Sequence, residues 1–368
     1  MSPAAILALA TAVPSHTINQ VELAAAIGQS LLLSATKEAQ LHKIFARSAI
    51  EQRHSVVHDF SPGVEGERIY TDLPKEAPGT LRRNEVYKRE APKLAEQAAR
   101  RAIAGWGRPA QEITHVISIS CTGMMAPGIE FLLIDALGLS SRIARLGINF
   151  MGCFGAFKGL AIAKALALCD PSHRILIVCT ELCSLHFQAN DQVDTFVANA
   201  LFGDGAAAAI VGCGARDGEE PLWEIVREAS MAFPDSRDYM TWDASDHGFV
   251  MRLSVEVPFL VRKQIASFAK ELCAGEALFA ECDWAIHPGG KAILHGIGTA
   301  CGIGREELKA SWATLARYGN MSSPTFLFVL EALKQEGRKH KYCIGAGFGP
   351  GLSMEGLFFR RCEARDGS

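Results

Sequence analysis

Apolar positions along this chain fall into short, nearly unbroken runs, separated by longer segments in which they recur every three or four residues. The runs at 6–13 (ILALATAV), 113–120 (ITHVISIS), 175–181 (ILIVCTE) and 206–212 (AAAAIVG) read as strands. So do those at 284–288 (WAIHP), 341–347 (KYCIGAG) and 352–359 (LSMEGLFF). Their brevity and continuous apolar character predict strands covered on both faces. Segments 86–105 and 258–273 carry the helical repeat, so the chain predicts mixed α/β layers. Residues 212–224 (GCGARDGEEPLWE) are rich in glycine and charge and lie between two blocks of similar layout. They predict a seam, dividing the chain into 1–217 and 218–368. Each block closes on a glycine turn that runs into a strand, LFGDGAAAAIVG (201–212) and GFGPGLSMEGLFF (347–359), as two related halves would.

Composition narrows the function classes. At 368 residues the chain can bury an extended two-sheet core. A formal charge of -3 argues against nucleic acid as the main partner, because phosphate binding needs a basic face. The sequence shows no uninterrupted apolar run of bilayer length, and its N-terminus lacks the basic start of a signal peptide. A cytoplasmic protein is expected. The 11 cysteines are odd in number and scattered, which favours free thiols; Cys169, Cys179, Cys213 and Cys343 lie in or beside apolar runs and are expected in the core. No CxxC pair occurs, and Cys179/Cys183 has no second pair to complete a zinc site.

Three segments carry candidate chemistry. In NFMGCFGAFKGLAIAKALALC (149–169) a strand runs into Gly152-Cys153 and an Ala/Gly-rich helix follows. Unpaired N–H groups and the macrodipole at a helix start lower a thiol's pKa from about 8.5. In WAIHPGGKAI (284–293), His287 ends an apolar strand just before a Pro-Gly-Gly turn, a placement that favours a cleft. In RYGNMSSPTFLFVLEAL (317–333), Asn320 sits in a tight turn, with Ser322 or Ser323 placed to cap the next helix. Taken singly, each also fits a structural role: a buried inert thiol, a core histidine, a turn asparagine.

Together they resemble the type III polyketide synthases. GCFGA around Cys153, HPGG (287–290), YGNMSS (318–323), LFGDGAA (201–207) and GFGPGLSMEG (347–356) occur in that family's order and approximate spacing. ATAVP, FARSAIEQRHSV (45–56) and APG (126–128) extend the similarity over nearly the whole chain, and ELCSLHF (181–187) looks like the bacterial branch. The resemblance implies a five-layer αβαβα thiolase fold, usually a homodimer, with Cys153, His287 and Asn320 as catalytic triad. It implies decarboxylative condensation of malonyl-CoA onto an acyl group carried by Cys153, then cyclisation to an alkylpyrone or resorcinol-type product, with neither metal nor cofactor. Phe202 matches the family's gatekeeper phenylalanine. The second gatekeeper falls at Met251, unless Phe249 replaces it. Lys43, Arg47 and Ala292 fit the CoA-binding positions, with Gln40 where a further cation is expected. Cys121, Cys183, His186 and Ser322 fall at cavity positions. Thiols at Cys121 and Cys183, in place of threonine, make a less polar pocket suited to an alkyl starter, while His186 fills space. A ketoacyl synthase III-like enzyme that condenses once shares the triad and is the alternative reading; a thiol hydrolase and a non-catalytic acyl-binding protein are more distant ones.

Overall fold

The computed structural model describes residues 2–337 and 340–362. Up to residue 213 the strands are β1 (Ala4–Ala12), β2 (Thr17–Asn19), β3 (Gln52–His54), β4 (His115–Ser120), β5 (Ala144–Asn149), β6 (Arg174–Leu182) and β7 (Asp204–Cys213). From residue 223 they are β8 (Trp223–Ala232), β9 (Met240–Ser245), β10 (Gly248–Leu253), β11 (Cys282–Ile286), β12 (Tyr342–Gly349) and β13 (Ser353–Arg361). The earlier helices are α1 (Gln20–Ser30), α2 (Ala35–Ala46), α3 (Thr80–Trp106), α4 (Ile129–Leu137), α5 (Gly155–Cys169) and α6 (Val193–Leu201). The later ones are α7 (Val257–Cys273), α8 (Lys291–Cys301), α9 (Lys309–Tyr318) and α10 (Thr325–Gln335).

Nine strands join in the order β11-β12-β13-β8-β1-β7-β6-β4-β5. The pairing pattern occurs twice. β1 is antiparallel to β7 and β7 to β6, while β6 is parallel to β4. In the same way β8 is antiparallel to β13 and β13 to β12, while β12 is parallel to β11. The two sets meet over Ala5–Glu224 and Ile6–Trp223. Helix α3 covers one face of the first set, α5 and α10 fill the space between the sets, and α7 with α8 cover the far side. These are the five layers of a thiolase fold.

Strand periodicity explains why both faces had to be apolar. In β7, Ala206, Ala208 and Ile210 join the core beneath α3, whereas Ala207, Ala209 and Val211 join the central core. In β6, Leu176 and Val178 face one way, Ile175 and Ile177 the other. A period of two with both phases buried is what a run such as ILIVC encodes.

Several features depart from the sequence expectations. Strand β5 lies at the sheet edge with mostly exposed residues, and β8 is buried only at Trp223 and Ile225, with half-buried and exposed positions beyond, so neither forms an apolar run. The β9–β10 hairpin is likewise half polar. Cys179, Cys213 and Cys343 are buried, but Cys169, at the end of α5, is exposed. The stretch Gly152–Cys169 is apolar and long enough, by composition, to cross a membrane; here Ala156, Phe157, Leu160 and Ala163 pack it into the central layer.

The predicted seam is pinned. Glu219 and Arg174 form a fully buried pair, Nε–Oε1 at 2.7 Å and Nη2–Oε2 at 2.8 Å. Trp106 Nε1 also donates to Glu219 (2.9 Å), as does the Arg216 amide (2.8 Å). The remaining guanidinium protons reach the carbonyls of Pro171, His173 and Gly214. Burial opposes ionisation of Glu219, but the Arg174 bonds prevail and hold its carboxyl below the ordinary value.

Candidate active site

Cys153 lies in a 3₁₀ turn, Gly152–Phe154, that leads into α5. Gly152 has a φ of +69°, and a Cβ there would come 2.5 Å from Pro350 Cδ. Pro350 belongs to the GFGPG turn between β12 and β13, so two segments about two hundred residues apart in sequence close on each other only because this position has no side chain.

Asn320 follows α9. Its Oδ1 accepts the Ser322 amide at 2.8 Å, which orients the carboxamide, and both Oδ1 and Nδ2 stand 3.9 Å from Cys153 Sγ. With Oδ1 engaged, Nδ2 is the donor that faces the sulfur. His287 follows β11, its amide bonded to Ala346 O at 2.9 Å. The residue is 1% exposed, and both ring nitrogens are buried without a hydrogen-bond partner among the described residues. Cys153, His287 and Asn320 line one cavity of about 550 Å³.

Burial sets the resting charges. It pushes the Cys153 thiol up to about 11, against the pull of Ser322 and Asn320 hydrogen bonds, and pushes the His287 imidazole down to about 3. For the thiol, the direction is opposite to the lowering expected from the helix start, and burial is its largest cause. Thiol and imidazole are both neutral at pH 7 rather than an ion pair.

The other expected residues are distributed around this cavity. Phe202 and Met251 line it, and so do Gln40, Lys43, Arg47 and the Gly289–Ala292 turn. Met251 faces the cavity, whereas Phe249 is buried and stacked on His186, with centroids 4.4 Å apart. Phe249 does not line this cavity. Cys121, Cys183 and Ser322 line a crevice of about 20 Å³ behind Cys153. His186 borders a neighbouring cavity instead. Its Nδ1 accepts the Phe249 amide at 2.9 Å and its Nε2 meets Thr122 O at 2.8 Å; burial pushes it down to about 3.

Two residues near the site went unread in the sequence. Glu181 is fully buried and accepts from Ser120 Oγ, the Cys121 amide, Cys121 Sγ, Thr122 Oγ1 and Ser323 Oγ. Burial raises its carboxyl pKa while those donors pull it back. A carboxylate closing an apolar strand run was the available signal. The Ser323 hydroxyl goes to Glu181, so the expected serine cap on α10 does not form: that helix has no side-chain cap bond. Trp242, whose Nε1 donates to Cys121 O at 2.7 Å, left no comparable trace. Among the described residues, no group of three or more His, Cys, Asp or Glu could hold a metal ion.

Comparison with known proteins decides the family. Residues 1–215 match the profile of the N-terminal domain of chalcone and stilbene synthases, and residues 224–363 match that of the C-terminal domain. The chain belongs to the chalcone and stilbene synthase family. It is an acyltransferase of the type III polyketide synthase class, which uses CoA thioesters and needs no cofactor. It is 34% identical over 367 residues to a probable polyketide synthase 1 of Dictyostelium discoideum, covering 96% of this chain and 11% of that far longer protein. It is 31% identical to type III polyketide synthase A of Arabidopsis thaliana, covering 97% of this chain and 92% of that one. It is also 31% identical to an alpha-pyrone synthesis polyketide synthase-like protein of Mycobacterium tuberculosis, covering 97% and 91%. Among solved structures, the C-terminal type III domain of Steely1, a type I/III hybrid from Dictyostelium, superposes with a TM-score of 0.91 at 34% identity, covering 98% of this chain and 99% of that one. PKS-I from the brown alga Ectocarpus siliculosus gives 0.92 at 29% identity, with the same coverage.

Proposed function

We propose that this type III polyketide synthase loads an acyl group from CoA onto Cys153 and extends it with malonyl units, using His287 and Asn320 to hold the developing enolate. The observation that supports this is the pairing of unused donors with a nucleophile. A buried imidazole without partners among the described residues and a carboxamide whose Nδ2 faces the sulfur share a cavity with the thiol. Buried polar groups are normally satisfied, so orphans of this kind fit an oxygen that arrives with the substrate.

The neutral resting pair suits each step. On acyl loading, the Cys153 proton passes to His287 as sulfur attacks the thioester carbon, and the departing CoA thiolate takes it back. With His287 neutral again, its N–H and Asn320 Nδ2–H stabilise the malonyl thioester oxygen as CO2 leaves and negative charge develops. A carboxylate in place of Asn320 would repel that charge. The resulting carbanion attacks the acyl-Cys153 thioester and frees the sulfur.

Apolar walls, including Val197, Leu201, Leu253, Val257 and Phe348, make the cavity suitable for an alkyl chain. We read the starter as a long-chain acyl group and the product as an alkylpyrone or resorcinol, as in the bacterial branch; the alpha-pyrone name of the mycobacterial relative supports this. Lys43, Arg47 and the first amides of α8 near Ala292 would receive the CoA phosphates and pantetheine arm. Cys121, Cys183, His186, Met251 and Ser322 would shape the space for the growing chain. The two halves would divide at 217/218, and a cytoplasmic homodimer fits the exposed edge strand β5 with Phe131, Leu146 and Phe150 nearby on the surface.

The test is intact-mass analysis of the enzyme with a panel of acyl-CoAs, followed by product analysis after adding malonyl-CoA. Acyl adducts should form on wild type and vanish in Cys153→Ala, and products should contain more than one malonyl unit. Adducts that persist in the variant would sink the proposal; release after a single condensation would favour the ketoacyl synthase reading.

A further inference from the structure

The short segment carrying Phe202 is tied to the one carrying Asn320. Phe202 and Asn320 form an isolated parallel bridge outside the main sheet. The Asn320 amide donates to Leu201 O at 2.9 Å, and the Gly203 amide donates to Asn320 O at 3.0 Å. Gatekeeper position and enolate donor thus share one backbone joint.

That joint sits at the C-terminal end of α6, where the last carbonyls lack helical partners and carry partial negative charge. Each of three consecutive carbonyls is met from outside the helix. Arg53 Nη1 donates to Asn199 O at 2.7 Å, Gln20 Nε2 to Ala200 O at 2.8 Å, and Asn320 N to Leu201 O. The same Arg53 nitrogen also donates to Phe202 O at 2.5 Å. Arg53 therefore holds the helix end and the gatekeeper carbonyl together. It is 4% exposed, and its Nε and Nη2 have no partner among the described residues, so only part of its donor set is used there. The packing leaves no slack: a Cβ on Gly203 would lie 2.7 Å from Tyr318 O, and one on Gly319 3.0 Å from Arg53 Cδ.

We infer that Arg53 is a positioning residue for the decarboxylation step, setting Phe202 and Asn320 as one unit through the Phe202 carbonyl and the α6 terminus. The inference rests on the reading of Asn320 as enolate donor. It separates the two half-reactions: loading depends on Cys153, which Arg53 does not touch, while malonyl decarboxylation depends on the joint. A lysine keeps the charge, but its side chain is one atom shorter, so its ammonium falls short of the place that Nη1 takes between the two carbonyls.

The experiment compares wild type, Arg53→Lys, Arg53→Met and Gln20→Met. The last loosens the same helix end without reaching Phe202. For each, acyl-Cys153 formation is measured by intact mass, and malonyl-CoA decarboxylation is measured per loaded enzyme, beside the melting temperature. Arg53→Met should retain loading and lose decarboxylation by about 10²-fold, the size of effect that an ångström-scale misplacement gives. Arg53→Lys should fall between, and Gln20→Met should melt lower with decarboxylation per loaded enzyme unchanged. If Arg53→Met does not fold, Arg53→Lys decides alone through the same ratio. Equal losses in both half-reactions, or unchanged decarboxylation in a less stable Arg53→Lys, would overturn the inference. Absence of loading in wild type would instead remove the proposed function on which it rests.

Discussion

Two buried polar clusters in this protein follow opposite rules. Around Glu219 every donor has an acceptor: the guanidinium of Arg174, the Trp106 indole and a backbone amide converge on one carboxylate. Around Cys153 the accounts are left open, with a thiol, an imidazole whose ring nitrogens have no partner among the described residues, and a carboxamide whose Nδ2 meets only the sulfur at 3.9 Å. The first cluster ties the loop between β7 and β8 to β6 and α3. The second leaves unused hydrogen-bonding groups beside the proposed nucleophile. A fold can carry that second cluster because large satisfied cores surround it, and the orphaned groups cost stability that is recovered only when substrate binds.

The largest effect should come from the open cluster. Asn320→Ala should slow malonyl decarboxylation by about 10²–10³-fold while leaving acyl loading and the melting temperature nearly unchanged. Equal loss in both half-reactions would contradict the assigned role. The closed cluster should respond the other way. Glu219→Gln leaves Arg174 buried without its counter-charge and should lower unfolding free energy by about 3–5 kcal/mol in denaturant titration. Activity per folded molecule should hold, and an unaffected unfolding midpoint would show that the pair is dispensable.

A pH series sharpens the contrast further. The folded state holds His287 at about 3, against 6.5 for the free group. The unfolded chain therefore binds a proton that the folded one refuses, and stability falls as pH drops from 6.5 toward 3. The slope should be about 1.4 kcal/mol per pH unit for each such group. His186, also held at about 3, adds a second. His287→Gln should flatten the slope by about one proton's worth, and an identical slope would mean that the ring is already charged in the fold. The smallest effect is expected at the rim, where Lys43 and Arg47 are exposed. Changing both to Ala should raise KM for acyl-CoA by about tenfold with kcat kept; an unchanged KM would return them to the solvated surface.

The architecture was legible wherever burial on both faces left an unbroken apolar run, as in β6 and β7. It was not legible in β5 or β8, where an edge position or a half-exposed face breaks the run with polar residues. Cys153, His287 and Asn320, which line one cavity, stood out as candidates because each stands in a glycine-marked turn at the end of an element. Arg53 could not. Flanked by Gln52 and His54 in a short strand, it has the pattern of a surface residue, and its burial comes from α6 and the Asn320 turn closing over it.

By itself, then, the sequence determined the layers, the turns and the kinds of side chain brought to each turn, because local periodicity and backbone tolerance are written residue by residue. Only the tertiary structure decided the charge states of Cys153 and His287, the orphaning of the imidazole, and the backbone joint between Phe202 and Asn320. Desolvation and hydrogen-bond satisfaction depend on what distant segments place around a group, and no local pattern encodes them.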